Sequence, residues 1–117
     1  MAGITTHVLD NETGMPGAGM RIDFSVFENG AYRHVKTVET NAEGRTDDMI
    51  LSPEETKVGQ YELLFHVAEY YAGKGRQLPD PPFIEDVPVR FSVFDASQHY
   101  HVPMLCTPWT CTTYRGS

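Results

Sequence analysis

The chain has 117 residues, 40% of them hydrophobic and 21% charged, a balance that predicts one globular domain spanning residues 1–117. Sixteen acidic against nine basic side chains give a net charge of -7, which would repel a phosphate backbone, so we expect no nucleic-acid partner. No apolar run approaches the roughly 18 residues of a membrane helix, and the first residues lack the pattern of a secretion signal. We therefore expect a cytoplasmic protein without a membrane partner.

Taken in chain order, the sequence predicts short strands separated by turn signals. Alternating apolar and polar side chains, or a run of β-branched residues, mark each strand. The predicted strands are residues 4–10, 20–28, 34–40, 60–66, 87–93, 99–106 and 109–115. Asn29-Gly30 is a hairpin turn between the second and third strands. Pro88 indicates that the fifth strand lies at a sheet edge or begins there.

The segments between the strands predict little helix. The one plausible helix covers residues 67–74. A single helical turn capped by Ser52 is also expected, whereas the proline-rich stretch 77–82 cannot form regular structure. Cys106 and Cys111 are expected to be free thiols, as in most cytosolic proteins. Seven or eight short strands with one short helix are typical of an all-β fold, an antiparallel β-sandwich.

Histidines are the first candidates for chemistry, and the chain contains five of them. His34 follows a turn and a charged residue, and His66 ends a strand, so exposure and packing explain these two. His7 lies mid-strand between apolar neighbours. His99 and His101 share one face of a strand, because successive side chains alternate. We prefer His101, which lies further into its strand and should be better shielded.

Arg45 is the candidate for binding, because a guanidinium offers a fork of donors to an anionic or carbonyl-rich ligand. The alternative is a solvated charge at the end of a loop. No nucleophile elbow, phosphate-binding loop or zinc-protease motif occurs in the sequence. A zinc site built from His7, His99 and His101 is a further alternative. Histidines with an arginine suit direct attack by water, since a neutral imidazole can take a proton from water and a guanidinium can stabilise the oxyanion.

Several segments together resemble the 5-hydroxyisourate hydrolases, a transthyretin-like family of urate breakdown. They span nearly the whole chain in the expected order: residues 5–10, 41–45, 61–67, 82–91, 99–103 and 114–117. The last of them, Tyr-Arg-Gly-Ser, is the most specific. The resemblance implies a transthyretin-like sandwich of two four-stranded sheets. It also implies a homotetramer, formed as a dimer of dimers, with active sites at the dimer–dimer interface.

The same resemblance implies an activity and its residues. The family hydrolyses a cyclic amide C–N bond of 5-hydroxyisourate, giving 2-oxo-4-hydroxy-4-carboxy-5-ureidoimidazoline, and needs no cofactor and no metal. His7 and His101 fall on its two active-site histidines, and Arg45 falls on its substrate-binding arginine. Tyr114 would line the pocket for the substrate ring. Ser117, with its terminal carboxylate, would hold a catalytic side chain in register.

The roles of the histidines follow as a hypothesis. One of the two, with His7 preferred, would orient and deprotonate water. Arg45 and His101 would hold the substrate's oxygens and the developing negative charge. His99 has no role in this scheme, and we expect it to support the site from behind or to face solvent.

A transthyretin-like binding protein, carrying a hydrophobic hormone-sized ligand, is the alternative function. An apolar channel would need neither the two histidines and the arginine nor an intact terminal tetrapeptide. A purely structural sandwich is the third alternative, and it would leave those polar groups facing inward at a cost of roughly 1–3 kcal/mol each if unpaired. The hydrolase is therefore the preferred interpretation.

Overall fold

Two four-stranded sheets pack against each other in the computed structural model, which describes residues 2–117. Met1, the first residue of the predicted domain, lies outside the described residues. In chain order the elements are β1 (Gly3–Asp10), β2 (Met15–Pro16), β3 (Arg21–Glu28), β4 (Ala31–Glu39), β5 (Gly59–His66), α1 (Val67–Gly73), β6 (Asp86–Val93), β7 (His99–Cys106) and β8 (Cys111–Thr113). The first sheet has the order β2-β1-β7-β8 and the second has the order β4-β3-β5-β6. The predicted all-β sandwich with one short helix is confirmed.

The central pair of the first sheet departs from the antiparallel pattern that the sequence predicts. β1 and β7 run parallel, with Thr5 opposite His101 and His7 opposite Pro103, whereas every other strand pair is antiparallel. Parallel neighbours require a long crossover connection. Here the whole second sheet and α1 lie between β1 and β7 in the sequence. Residues nearly a hundred positions apart therefore become neighbours.

Alternation along β1 and β7 divides their side chains between the core and the outer face of the first sheet. The inward side chains are buried and join the hydrophobic core: Ile4, Val8, Tyr100, Val102 and Met104. The outward side chains are half-buried: Thr5, His7, His99 and His101. Because the pair is parallel and in register, these four polar side chains share one surface. That surface carries the candidate site.

Local predictions hold for most elements and fail at a few. The helix predicted over residues 67–74 is confirmed as α1, and β6 lies at a sheet edge as Pro88 indicated. The last strand is shorter than predicted, because the Thr107 hydroxyl accepts N–H bonds from Trp109 and Thr110 and folds them into a turn. The segment after Ser52 is a single turn in which the Thr56 N–H donates to the Ser52 carbonyl at 3.1 Å, but the bond to the Glu55 carboxylate comes from the Ser52 backbone N–H. Within residues 2–117 no helix has the length and apolar character to cross a bilayer.

Asp10 joins the end of β1 to α1. The residue is only 2% exposed. Its carboxylate accepts hydrogen bonds from the Tyr70 hydroxyl at 2.9 Å and from the Tyr71 hydroxyl at 2.7 Å. Burial works to raise the pKa of Asp10, but the bonds from Tyr71 and Tyr70, together with those from the Glu12 and Thr13 N–H groups, outweigh it and lower that pKa below its ordinary value. A buried, ionised carboxylate is stable only while hydrogen-bond donors compensate for its lost hydration.

We expect Tyr71→Phe to lower the free energy of unfolding by about 1–3 kcal/mol, because it removes a hydrogen bond to a buried, charged carboxylate whose Oδ1 then accepts, in the described part of the chain, only from the Glu12 and Thr13 N–H groups. The Cys106 carbonyl oxygen lies 2.9 Å from the same hydroxyl and shares its one hydrogen with Asp10, so this contact is lost too. Urea denaturation at matched protein concentration measures the change. Tyr32→Phe on β4 is the control, since no hydrogen bond of its hydroxyl is found within residues 2–117. Equal stability of the two variants would contradict the prediction.

Candidate active site

One threonine hydroxyl joins two histidines at the centre of the outer face. The register of β1 and β7 places Thr5 opposite His101, with His99 two residues earlier on the same face. Thr5 Oγ1 lies 2.8 Å from His99 Nε2 and 2.8 Å from His101 Nδ1. The two imidazole rings are 6.5 Å apart, with their planes 18° from parallel. Both rings are therefore held by a single group on the neighbouring strand.

Arg45 reaches this face through a tight turn that packs on β1. The side-chain oxygen of Asn41 accepts the N–H of Arg45 at 3.2 Å and so closes the turn. Gly44 has a positive φ of 76°, and a Cβ there would collide with the Val8 carbonyl oxygen. The Val8 N–H donates to the Gly44 carbonyl at 2.8 Å, and His7 and Arg45 form an isolated antiparallel bridge. The turn thus places Arg45 beside His7.

The terminal segment is bonded along β7. The Gly116 N–H donates to the His101 carbonyl at 2.8 Å, and a Cβ on Gly116 would lie 2.7 Å from His101 Cδ2. The absence of a side chain on Gly116 therefore lets the imidazole of His101 lie against the backbone. Arg115 donates to the His99 carbonyl at 2.9 Å, and its guanidinium lies 4.5 Å from the Tyr100 ring centroid. Two residues of the tetrapeptide thus fix its position on β7.

The surroundings of His101 favour its neutral form. Burial lowers the pKa of His101 below the ordinary histidine value, and electrostatic repulsion from Arg45 and from the neighbouring His7 and His99 lowers that pKa further. A neutral imidazole keeps a lone pair with which to accept a proton at neutral pH. Arg45 itself is exposed, so its guanidinium is free to meet a ligand from solvent. A cavity of about 160 Å³ opens beside Arg45 and Thr5.

The structure brings three of the predicted site residues to one corner: His7, Arg45 and His101. Tyr114 lies apart from them. It is 57% exposed and lines a groove of about 340 Å³ between β6 and β7. Ser117 is also exposed, and within residues 2–117 no hydrogen bond joins it or Tyr114 to the three corner residues.

Thr5 is the residue that sequence reasoning missed, and His99 is the one it set aside. Both contact His101 through the shared hydroxyl. A parallel pairing of β1 with β7 would have revealed them, but alternation within a strand does not show which strand lies next to it. A zinc ion would need ring nitrogens that converge on it, but His99 Nε2 and His101 Nδ1 each lie 2.8 Å from Thr5 Oγ1 instead. Across the described part of the chain, no three His, Cys, Asp or Glu side chains are grouped to hold a metal ion.

Comparison with known proteins gives a consistent result. A family model described as HIUase/Transthyretin family matches residues 4–116. The 5-hydroxyisourate hydrolase of Mesorhizobium japonicum is 47% identical over 114 residues, which are 97% of this chain and 91% of that protein. The structure of Klebsiella pneumoniae 5-hydroxyisourate hydrolase aligns with a TM-score of 0.79 and 29% identity, over 97% of this chain and 98% of that one.

A longer protein contains a similar unit. The crystal structure of (S)-allantoin synthase aligns with a TM-score of 0.91 and 38% identity over 98% of this chain. This chain spans only 43% of the length of that structure. All of these matches include the strands that carry His7 and His101 and the turn that carries Arg45.

Proposed function

The chain belongs to the HIUase/Transthyretin family, and we propose that it hydrolyses 5-hydroxyisourate to 2-oxo-4-hydroxy-4-carboxy-5-ureidoimidazoline in the breakdown of urate. The observation that carries the proposal is the meeting of His7, Arg45 and His101 on one face, through the β1–β7 register and the turn that packs on β1. This trio occurs in a chain that is similar over nearly its full length to named 5-hydroxyisourate hydrolases. The proposed reaction uses no cofactor and no metal.

The proposed reaction is attack by water on the carbonyl carbon of a cyclic amide. One histidine takes a proton from water as the oxygen bonds to that carbon, and the carbonyl oxygen becomes an oxyanion. Arg45, with the second histidine, donates hydrogen bonds to the oxyanion and to the other oxygens of the substrate. When the C–N bond breaks, the protonated histidine returns its proton to the leaving nitrogen. Protons and charge therefore balance within the trio.

The homotetramer, a dimer of dimers with sites at the dimer–dimer interface, is part of the same proposal. β6 and β8 are edge strands of their sheets, and an exposed edge readily pairs with another chain. The outer face of the first sheet carries half-buried polar side chains that a second subunit would cover. In this assembly Tyr114 would line the substrate pocket, and Ser117 would hold a catalytic side chain in register.

The proposed location is the cytoplasm. Cys106 and Cys111 are free thiols on neighbouring strands, directly opposite each other in the register of β7 and β8. A reducing compartment keeps such pairs as thiols. Comparing activity in cytoplasmic and periplasmic fractions of a native host tests the location.

The direct test of the function is to generate 5-hydroxyisourate from urate with urate oxidase and to follow its ultraviolet absorbance. We expect the protein to accelerate the decay of 5-hydroxyisourate well beyond the spontaneous rate, in proportion to its concentration. Heat-denatured protein is the control. Decay no faster than the spontaneous reaction would reject the proposed function.

We expect Gly116→Ala to lower kcat for this hydrolysis by about tenfold, because the new Cβ would meet His101 Cδ2 at 2.7 Å and displace the imidazole. Steady-state kinetics on freshly generated substrate measure the change. Gly73→Ala is the matched control, since a Cβ on Gly73 meets no atom within 4 Å. Equal kcat values for the two variants would show that the contact with Gly116 does not position His101.

A further inference from the structure

The Thr5 hydroxyl constrains the protons on both of its histidine partners. It lies 2.8 Å from His99 Nε2 and 2.8 Å from His101 Nδ1, and it carries a single hydrogen. Within residues 2–117 the two rings are the only hydrogen-bond partners of this hydroxyl. Its hydrogen therefore goes to one ring, and when both imidazoles are neutral the hydroxyl accepts from the other. The proton position on His99 therefore determines which nitrogen of His101 is protonated.

The backbone near His99 selects one of the two arrangements. The Ala2 carbonyl oxygen lies 3.5 Å from His99 Nδ1, and a carbonyl can only accept. A proton on His99 Nδ1 makes this a long hydrogen bond, whereas a bare Nδ1 would turn its lone pair toward the oxygen. His99 Nε2 then accepts from the Thr5 hydroxyl, and Thr5 Oγ1 accepts from His101 Nδ1–H. His101 Nε2 is left with its lone pair.

We propose that Thr5 and His99 are positioning residues that hold His101 as its Nδ1–H tautomer, which makes His101 Nε2 the atom that takes the proton from water. This inference rests on the proposed hydrolysis and assigns the base that the hydrolysis requires. It differs from the sequence-based hypothesis, in which His7 was the preferred base. His7 then serves with Arg45 as a donor to the substrate's oxygens.

The proposed proton transfer leaves the hydrogen bonds of the network unchanged. As the water oxygen bonds to the carbonyl carbon, its proton moves to His101 Nε2 and the ring becomes an imidazolium with protons on both nitrogens. His101 Nδ1–H still donates to Thr5 Oγ1, and the Thr5 hydroxyl still donates to His99 Nε2. No group has to rotate during the step, which is how a preorganised site lowers a barrier. The imidazolium later gives its Nε2 proton to the leaving nitrogen.

The position of His101 suits this role. Its ring is partly buried and faces the positive charge of Arg45, and both features hold the pKa of His101 below the ordinary histidine value. The ring therefore enters the reaction neutral. The Thr5 side chain is half-buried on the outer face of the sheet, and its hydroxyl lies within hydrogen-bond distance of both rings.

Thr5→Val and Thr5→Ser form the matched pair that tests the inference. Valine keeps the shape of threonine without the hydroxyl, and serine keeps the hydroxyl. Nitrogen-15 NMR of the histidine rings at about pH 9, well above the ordinary histidine pKa of about 6.5, identifies the tautomer of His101. We expect the Nδ1–H form in the wild type and in Thr5→Ser, and its loss in Thr5→Val. We expect kcat to fall by about tenfold or more in Thr5→Val with KM nearly unchanged, and serine to restore kcat to within about threefold of wild type.

His99→Phe is the second variant, in case Thr5→Val folds poorly. It removes the acceptor for the Thr5 hydroxyl, so we expect the same loss of the Nδ1–H tautomer. A wild-type His101 protonated on Nε2, or a Thr5→Val variant with wild-type tautomer and kcat, would overturn the inference. The spectra need no substrate. A fixed Nδ1–H tautomer in a protein without hydrolysis would uphold the hydrogen-bond arrangement and reject the function, whereas hydrolysis by a protein with Nε2–H His101 would reject the inference alone.

Discussion

Replacing His101 by asparagine is expected to lower kcat for 5-hydroxyisourate hydrolysis by about 10²- to 10⁴-fold, the usual contribution of a general base. Asparagine is polar and short, so it can still contact the Thr5 hydroxyl, but it offers no nitrogen at the position of Nε2 and cannot take a proton from water. The fold should survive, because the residue is only half-buried and its carbonyl still accepts from Gly116. Steady-state ultraviolet kinetics measure the loss.

The same substitution at His34 is the control for His101→Asn. His34 is an exposed histidine on β4, in the second sheet, with a side-chain contact to Thr37 at 3.0 Å. We expect His34→Asn to turn over substrate at the wild-type rate. A value of kcat for His101→Asn within about threefold of wild type would remove His101 from the mechanism.

The second large effect is expected for Arg45→Met, which should lower kcat/KM by about 10²- to 10³-fold, as loss of an oxyanion donor does. The guanidinium supplies forked hydrogen bonds that methionine lacks, while the methionine side chain is of similar length. Because Arg45 is exposed, its replacement leaves no unpaired buried group, so the unfolding midpoint should stay close to wild type. Activity and stability are measured on the same preparation.

Two further variants make the Arg45 result specific. Arg45→Lys keeps the charge but loses the planar fork, so we expect it to recover only part of the lost activity. Arg33→Met removes an exposed arginine of β4 that pairs with Glu28, and it should leave turnover unchanged. If Arg45→Met were as active as Arg33→Met, the binding role of Arg45 would be wrong.

The strands of the sandwich were predictable because their signals are local. Alternation along Arg21–Glu28 and Gly59–His66 shows directly in the sequence, and the Asn29-Gly30 turn adopts the positive φ values, 53° and 80°, that such a dipeptide favours. The two-residue strand β2 was missed, since two residues are too short for any pattern. Local sequence patterns therefore predicted most of the strands but not which strands pair with each other.

Which strands lie side by side determines which residues meet in the candidate site, and this pairing could be predicted only in part. Alternation indicated that His99 and His101 share a face, but nothing in the sequence indicates that Thr5 lies opposite His101 on a parallel strand. Arg45 was singled out by its guanidinium at the end of a turn, and the family resemblance favoured a binding role for it over a solvated charge. The roles of Tyr114 and Ser117 remain predictions, as they depend on an assembly with further subunits.

The parallel pairing of β1 with β7 also bears on how the protein is made. β1 is synthesised first, and its partner is synthesised about 90 residues later, a delay of roughly 5–20 s at ordinary translation rates. A nascent chain could already assemble the second sheet, whose strands are contiguous apart from α1, while β1 still lacks β7. The proposed catalytic corner cannot exist at that stage, because its histidines lie on those two strands. Turnover would therefore report the completion of folding, and incomplete chains released from the ribosome should be inactive.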